Sequence, residues 1–213
     1  LKSVEDLFDI SIHDALEADG VLSQAKELLM IHNLARMKEL EEKSQRDGLT
    51  GAYNRMYFDE TLRHEFNLAT QYHLPLTIAI IDLDHFKRVN DTHGHLAGDS
   101  LLVTVVKNVC AQIRQDDTLS RYGGEEFALI LPGTTLEASR NLIARLKEAI
   151  TEIAYELDDS CIIQITASIG VAAYHEGSTT FNEPLDMIKA ADSALYAAKH
   201  AGRNRIVEWN SLL

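Results

Sequence analysis

Two carboxylates and a glycine pair give the first sign of chemistry in this sequence. Asp82 falls at the end of an apolar, β-branched run, Leu76 to Leu83 (LTIAIIDL), and Glu125 directly follows Gly123-Gly124. Either acid alone reads as a solvated charge at a strand end. Together, on neighbouring strand ends, they are hard oxygen donors suited to magnesium, which in turn grips substrate phosphates. The glycines let a phosphate-sized ligand approach the backbone closely. This pattern points to metal-assisted phosphoryl or nucleotidyl chemistry and leaves the nucleotide open.

Composition narrows the classes. The 213 residues suffice for one sizeable domain plus an appendage, and 46% hydrophobic with 25% charged residues is ordinary for a globular chain. The net charge of -13 argues against a nucleic-acid binder, which carries a basic face. It leaves a nucleotide substrate open, because magnesium can bring the missing positive charge. No apolar run reaches the ~18 residues of a membrane span, so no membrane contact is expected of this segment; the two cysteines, read as free thiols, fit a cytoplasmic setting, with a membrane anchor upstream left open. The start, Leu1-Lys2-Ser3-Val4-Glu5, has neither signal-peptide features nor a methionine, so the expectation is a piece of a longer protein with a sensor domain upstream. Cys110 and Cys161 match no metal-ligand spacing, and their apolar neighbours suggest buried free thiols.

Elements must position these groups. Leu7, Phe8, Ile10 and Ile12 make the opening amphipathic, fit to cover a partner or to end an absent domain. Residues 23–45 read as a helix with Met30, Leu34 and Met37 on one stripe. That stripe fits a helix lying on its own domain or a coiled-coil stalk that dimerises. Asp47-Gly48-Leu49-Thr50-Gly51 breaks it, so residues 1–46 are read as a helical segment and 47–213 as the main domain. Helix (55–71), strand (76–83), loop and helix (96–114), a hairpin of strands 118–122 and 125–131, helix (136–155), long strand (161–174), helix (183–200) and strand (205–209) follow. The Gly123-Gly124 pair is expected to supply the positive φ angles of a tight hairpin. This order predicts an α+β domain with a mixed, mostly antiparallel five-stranded sheet flanked by helices.

The run Arg121-Tyr122-Gly123-Gly124-Glu125-Glu126-Phe127 resembles the signature of the GGDEF family of diguanylate cyclases, in its GGEEF variant. Further blocks follow the family's order: Asp47-Gly48-Leu49-Thr50-Gly51 with Asn54-Arg55; Asp82-Leu83-Asp84-His85-Phe86-Lys87 running to Asn90-Asp91-Thr92, Gly94-His95 and Gly98-Asp99; and Ala198-Lys199 with Gly202-Arg203-Asn204. Met56 and Ala52 depart from the family's frequent arginine and leucine, outside the proposed metal and guanine sites.

The resemblance implies a fold related to the polymerase palm and the nucleotide cyclases. It implies condensation of two GTP into cyclic di-GMP with release of pyrophosphate, two magnesium or manganese ions per site, and a homodimer in which each domain supplies half of the site. Asp82, Glu125 and the Leu83 carbonyl would bind metal, with Glu126 in or near that shell and Glu125 assisting deprotonation. Asn90 and Asp99 would read guanine, backbone amides around Phe86 and Lys87 would hold phosphate at a helix start, and Lys87 would stabilise transition-state charge. Lys199 and Arg203 would hold the terminal phosphates, their i, i+4 spacing fitting one helical end. Asp84 is read as structural. Arg114, Asp117 and Arg145 match an inhibitory site for the product, cyclic di-GMP. Seen without the resemblance, Asn90 and Asp99 would be helix caps and Lys199 and Arg203 solvated charges. A non-catalytic module sensing GTP or cyclic di-GMP is the alternative. The retained acidic set speaks against it, and Asp99 speaks against a mixed-dinucleotide cyclase.

Overall fold

The strand Leu76–Asp84 (β1) is buried along its whole length. Its two faces serve two separate cores, which is why the run is apolar at nearly every position rather than alternating. In this computed structural model, residues 26–34, 36–37, 44–153, 155–158, 161–175 and 181–209 are described. The domain runs α1 (Arg55–Tyr72), β1, α2 (Phe86–His93), α3 (His95–Cys110), β2 (Thr118–Arg121), β3 (Glu126–Pro132), α4 (Leu136–Thr151), β4 (Tyr155–Asp158), β5 (Cys161–Ile163), β6 (Thr166–Tyr174), α5 (Pro184–His200) and β7 (Ile206–Glu208).

The sheet order is β2-β3-β1-β6-β7, five strands, as expected. Among the described strands of this sheet β6 and β7 pair parallel, and β1–β3, β1–β6 and β2–β3 pair antiparallel. Ala79, Ile81 and Leu83 pack with α3 and α4 residues such as Leu101, Val105 and Ile143. Leu76, Ile78 and Ile80 pack on the other face with Phe58 and Leu62 of α1 and Met187 and Leu195 of α5. The period of two carries Asp82 and Asp84 onto that second face.

α5 lies close on β6 because Gly170 has no side chain. A Cβ there would collide with the Ala191 carbonyl oxygen and the Leu195 nitrogen. These are backbone atoms that no rotamer change can move. Gly170→Ala is therefore expected to lower unfolding stability by about 3 kcal/mol or more. A urea midpoint within error of wild type would refute this.

Several expectations need correction. Residues 86–93, read as loop, form α2 after His85 turns the chain at φ 59°. The long strand expected over 161–174 is two strands: β5 pairs with β4 in a separate small sheet, and β6 joins the main one. α4 stops at Thr151, and Tyr155 opens β4 instead of ending the helix. Cys110 is exposed rather than buried, although crowding still pushes its thiol up, against the pull of Arg46. Side-chain facts for Cys161, and the amphipathic opening at Leu7 to Ile12, lie outside the described residues.

Residues 26–34 form a helical stretch, in a unit separate from 45–213. Met30, Leu34 and Met37 are 64%, 55% and 67% exposed. Among the described residues no helix is long and apolar enough to cross a membrane.

Candidate active site

Antiparallel pairing sets the acidic residues side by side. Asp82 of β1 is in register with Glu126 of β3, and the Leu83 N–H donates to the Glu125 carbonyl at 3.3 Å. The turn between β2 and β3 is not the tight hairpin expected. Neither Gly123 nor Gly124 takes a positive φ. The Tyr122 and Gly123 amides instead both donate to the Glu126 carbonyl, at 2.8 and 3.1 Å, closing a wider loop. The glycine at 123 is required for space: a Cβ there would meet Glu126 Oε2 at 2.8 Å.

Burial, then the nearby Asp82 and Glu126 carboxylates, push the Glu125 carboxyl above its ordinary value, and Lys199 pulls it back. Lys199 Nζ lies 2.7 Å from Asp82 Oδ2. Among the described residues no three acidic, histidine or cysteine side chains converge on one point. A hard cation would thus take two carboxylates and a backbone oxygen. The donors of Asp82, Glu125 and Leu83 fit this, because their mutual repulsion is what a cation relieves.

Asp84 points to the same face but is already engaged. It accepts from Thr166 Oγ1 and Ser168 Oγ, each at 2.7 Å, and from the Asn204 amide at 3.0 Å. The structural role read for it agrees with this geometry.

Phe86 is buried, and α2 begins behind His85 with no side-chain cap. The first-turn amides of such a helix suit an anion, although the Arg88 amide already donates to the His85 carbonyl at 2.8 Å. Lys87 is exposed on that turn. Asn90 and Asp99 are inside α2 and α3, whose caps are His85 and Gly94, so neither serves as a helix cap. The argument from helical spacing for Lys199 and Arg203 fails. α5 ends at His200, Gly202 turns at φ 110°, and Arg203 follows at φ 62° outside the helix.

At the opposite end of α3, Asp117 accepts from the Arg114 amide at 2.8 Å, and Arg145 of α4 donates to the Gln112 carbonyl at 2.9 Å. The turn after α3 thus collects Arg114, Asp117 and Arg145. Burial pushes the Asp117 carboxyl up, against the Arg114 amide and guanidinium.

One residue of the site went unassigned in the sequence. The Arg121 guanidinium donates to the Gly124 carbonyl through Nε (3.1 Å) and Nη2 (2.9 Å), and through Nη1 to both Asp47 oxygens (3.1 and 3.3 Å). It fastens the Gly-Gly turn to the turn that opens the domain. A charge at a strand end was the available signal; its partner lies 74 residues away. Beside it, Arg55 stacks over the Tyr122 ring at 4.4 Å.

Comparison with known proteins agrees with this architecture. A family model described as "Diguanylate cyclase, GGDEF domain" matches residues 44–205. The chain is 38% identical over 168 residues to "Probable diguanylate cyclase DgcC" of Escherichia coli strain K12, covering 79% of this chain and 44% of that protein. It is 39% identical over 173 residues to "Diguanylate cyclase DgcP" of Pseudomonas aeruginosa, covering 81% and 25%. The chain thus spans less than half the length of these curated relatives. Among solved structures, the coiled coil and GGDEF domain of DgcB from Caulobacter crescentus, in complex with c-di-GMP, superposes with a TM-score of 0.79 at 28% identity, over 91% of this chain and 99% of that one. The family match, the relatives and the shared fold agree that this chain belongs to the GGDEF, or diguanylate cyclase, family.

Proposed function

We propose that residues 47–213 form a diguanylate cyclase catalytic domain that works in the cytoplasm as a homodimer, and that residues 1–46 form a stalk setting the dimer geometry. The reading is carried by the Asp82, Glu125 and Lys199 cluster beside the uncapped start of α2. The 3'-hydroxyl of one GTP attacks the α-phosphate of a second GTP held on the facing domain, and pyrophosphate leaves. Two divalent ions, magnesium or manganese, held by Asp82, Glu125 and the Leu83 carbonyl with Glu126 alongside, would polarise the phosphate and ease loss of the hydroxyl proton.

The chain's own groups do the rest. Amides at Phe86 and Lys87 hold phosphate, and the Lys87 ammonium meets charge developing on the α-phosphate. Lys199 and Arg203 grip the terminal phosphates, Lys199 being close enough to Asp82 to move between carboxylate and phosphate. Asn90 and Asp99 read guanine, the amide as donor and the carboxylate as acceptor for N1–H and N2–H₂. Two attacks close the ring, so the two half-sites must face one another.

The test is product analysis with GTP and magnesium over a range of protein concentrations. Cyclic di-GMP rising more than proportionally with protein is the expected result. Absence of product even from a chain fused to a dimerising partner would leave a binding module instead.

Product feedback is proposed at the turn holding Arg114, Asp117 and Arg145, where arginines can pair with product phosphates. Arg114→Ala is expected to raise the concentration of cyclic di-GMP needed for half-inhibition about tenfold or more, from loss of one charge-assisted contact, with the uninhibited rate unchanged. An unchanged inhibition curve would remove this site from regulation.

A further inference from the structure

Gly98 lies in the first turn of α3, where glycine is a poor helix residue. The reason for it is space. A Cβ at this position would sit close against the Asn90 side chain, meeting its amide oxygen first, its Cγ at 3.0 Å and Phe86 Cζ at 3.1 Å. That Asn90 oxygen, Oδ1, is buried and has no hydrogen-bond partner among the described residues. The notch left by the missing side chain at 98 thus receives the carbonyl end of the Asn90 amide.

We propose that Gly98 is a positioning residue for base selection: its notch holds the Asn90 amide in one orientation, oxygen inward, so that only the NH₂ is offered to the bound base. The inference rests on the reading of Asn90 and Asp99 as the guanine-facing pair. An asparagine free to turn over presents a donor or an acceptor as the base requires, and it pairs well with adenine, whose edge carries both an acceptor and an amino donor. An asparagine held with its oxygen inward offers a donor alone. Guanine meets it with O6, at the position where adenine carries an amino donor that opposes it. Turning the amide over inside the notch would enclose two unpaired N–H donors in place of one acceptor, which is the less tolerated arrangement. The carboxylate of the next residue, Asp99, completes the discrimination as the acceptor.

The test measures binding of the α,β-methylene analogues of GTP and ATP by calorimetry, with magnesium, on the 213-residue chain. Gly98→Ala fills the notch and is expected to weaken the GTP analogue about tenfold, the scale of one lost hydrogen bond, while the ATP analogue changes little. Added to Asn90→Ala, the same substitution is expected to cause no further loss. Asn90→Asp needs no extra room at the notch and removes the NH₂, so it is expected to narrow the preference for guanine even if Gly98→Ala folds poorly. Weakening by Asn90→Ala with none from Gly98→Ala overturns the inference and leaves the guanine reading standing. Equal losses from Gly98→Ala with and without the Asn90 side chain do the same, as does an Asn90→Asp variant with the wild-type preference. Wild-type affinity in Asn90→Ala overturns both.

Discussion

Glu125→Gln is expected to stop the cyclic di-GMP synthesis proposed above, with a loss of about 10³-fold or more, several kcal/mol of transition-state stabilisation. The substitution keeps the shape of the side chain and removes only its charge, at the end of the loop that Arg121 and the Glu126 carbonyl hold in place. The pH dependence follows from the neighbours. Burial, Asp82 and Glu126 raise the Glu125 pKa, and Lys199 lowers it. In the metal-free site a proton therefore competes with the cation for this carboxylate, and metal binding, with the activity that depends on it, weakens as pH drops through this raised pKa. Glu126→Gln is expected to move that acid limb to lower pH. Stability runs the other way. A carboxyl with a raised folded pKa favours the folded state below the ordinary glutamate value, and this contribution is lost as pH rises through the folded pKa. At neutral pH Glu125→Gln should thus melt no lower than wild type while being inactive. An active Glu125→Gln would remove Glu125 from the chemistry, and one that melts well below wild type would overturn the stability prediction.

Arg121→Ala is expected to cost about 10²-fold in turnover, because the Gly-Gly loop loses the guanidinium that fixes Gly124, and a small displacement of reacting groups has effects of that size. It should also destabilise the domain by about 2 kcal/mol, since the Arg121 and Asp47 side chains are only 18% and 22% exposed and the pair is hydrogen-bonded. Arg121→Lys should recover little, because an ammonium cannot span Gly124 and Asp47 as a planar fork does. Asp47 adds a pH signature. Burial pushes its carboxyl up, yet the Thr50 hydroxyl and amide and Arg121 together hold it below its ordinary value. Such a depressed pKa stabilises the fold above the ordinary aspartate value and is lost as pH falls through the folded one. The stability gap between wild type and Arg121→Ala should therefore narrow on acidification. A constant gap in urea midpoints down to that pH would show that the Asp47 contact contributes nothing.

Much of this chain was legible before its structure. The run Leu76 to Leu83 marked a strand buried on both faces, because a one-sided strand would have alternated. The five-stranded, mostly antiparallel sheet followed from the order of such runs. Asp82 and Glu125 stood out as a pair, because two hard oxygen donors on neighbouring strand ends suit a divalent cation. The hydrophobic pattern missed the α2 helix, whose start only the family resemblance implied, because eight residues with Phe86 and Val89 as their buried contacts have too little local preference to fold alone. The break between β5 and β6 was missed for a similar reason: residues that belong to two different sheets still form one continuous run in the chain.

Local sequence thus determined which residues could do chemistry and which segments had to be buried, because periodicity, propensity and residue type act over a few neighbours. Tertiary structure alone decided which of those residues meet. Lys199 reaches Asp82, Arg121 reaches Asp47 and Gly124, Asp84 is consumed by Thr166, Ser168 and Asn204, and the Asn90 oxygen enters the notch at Gly98. Each contact joins different elements, or a strand to the loop that follows it, and its distance is set by strand register, helix packing and loop path, none of which is encoded at the positions themselves.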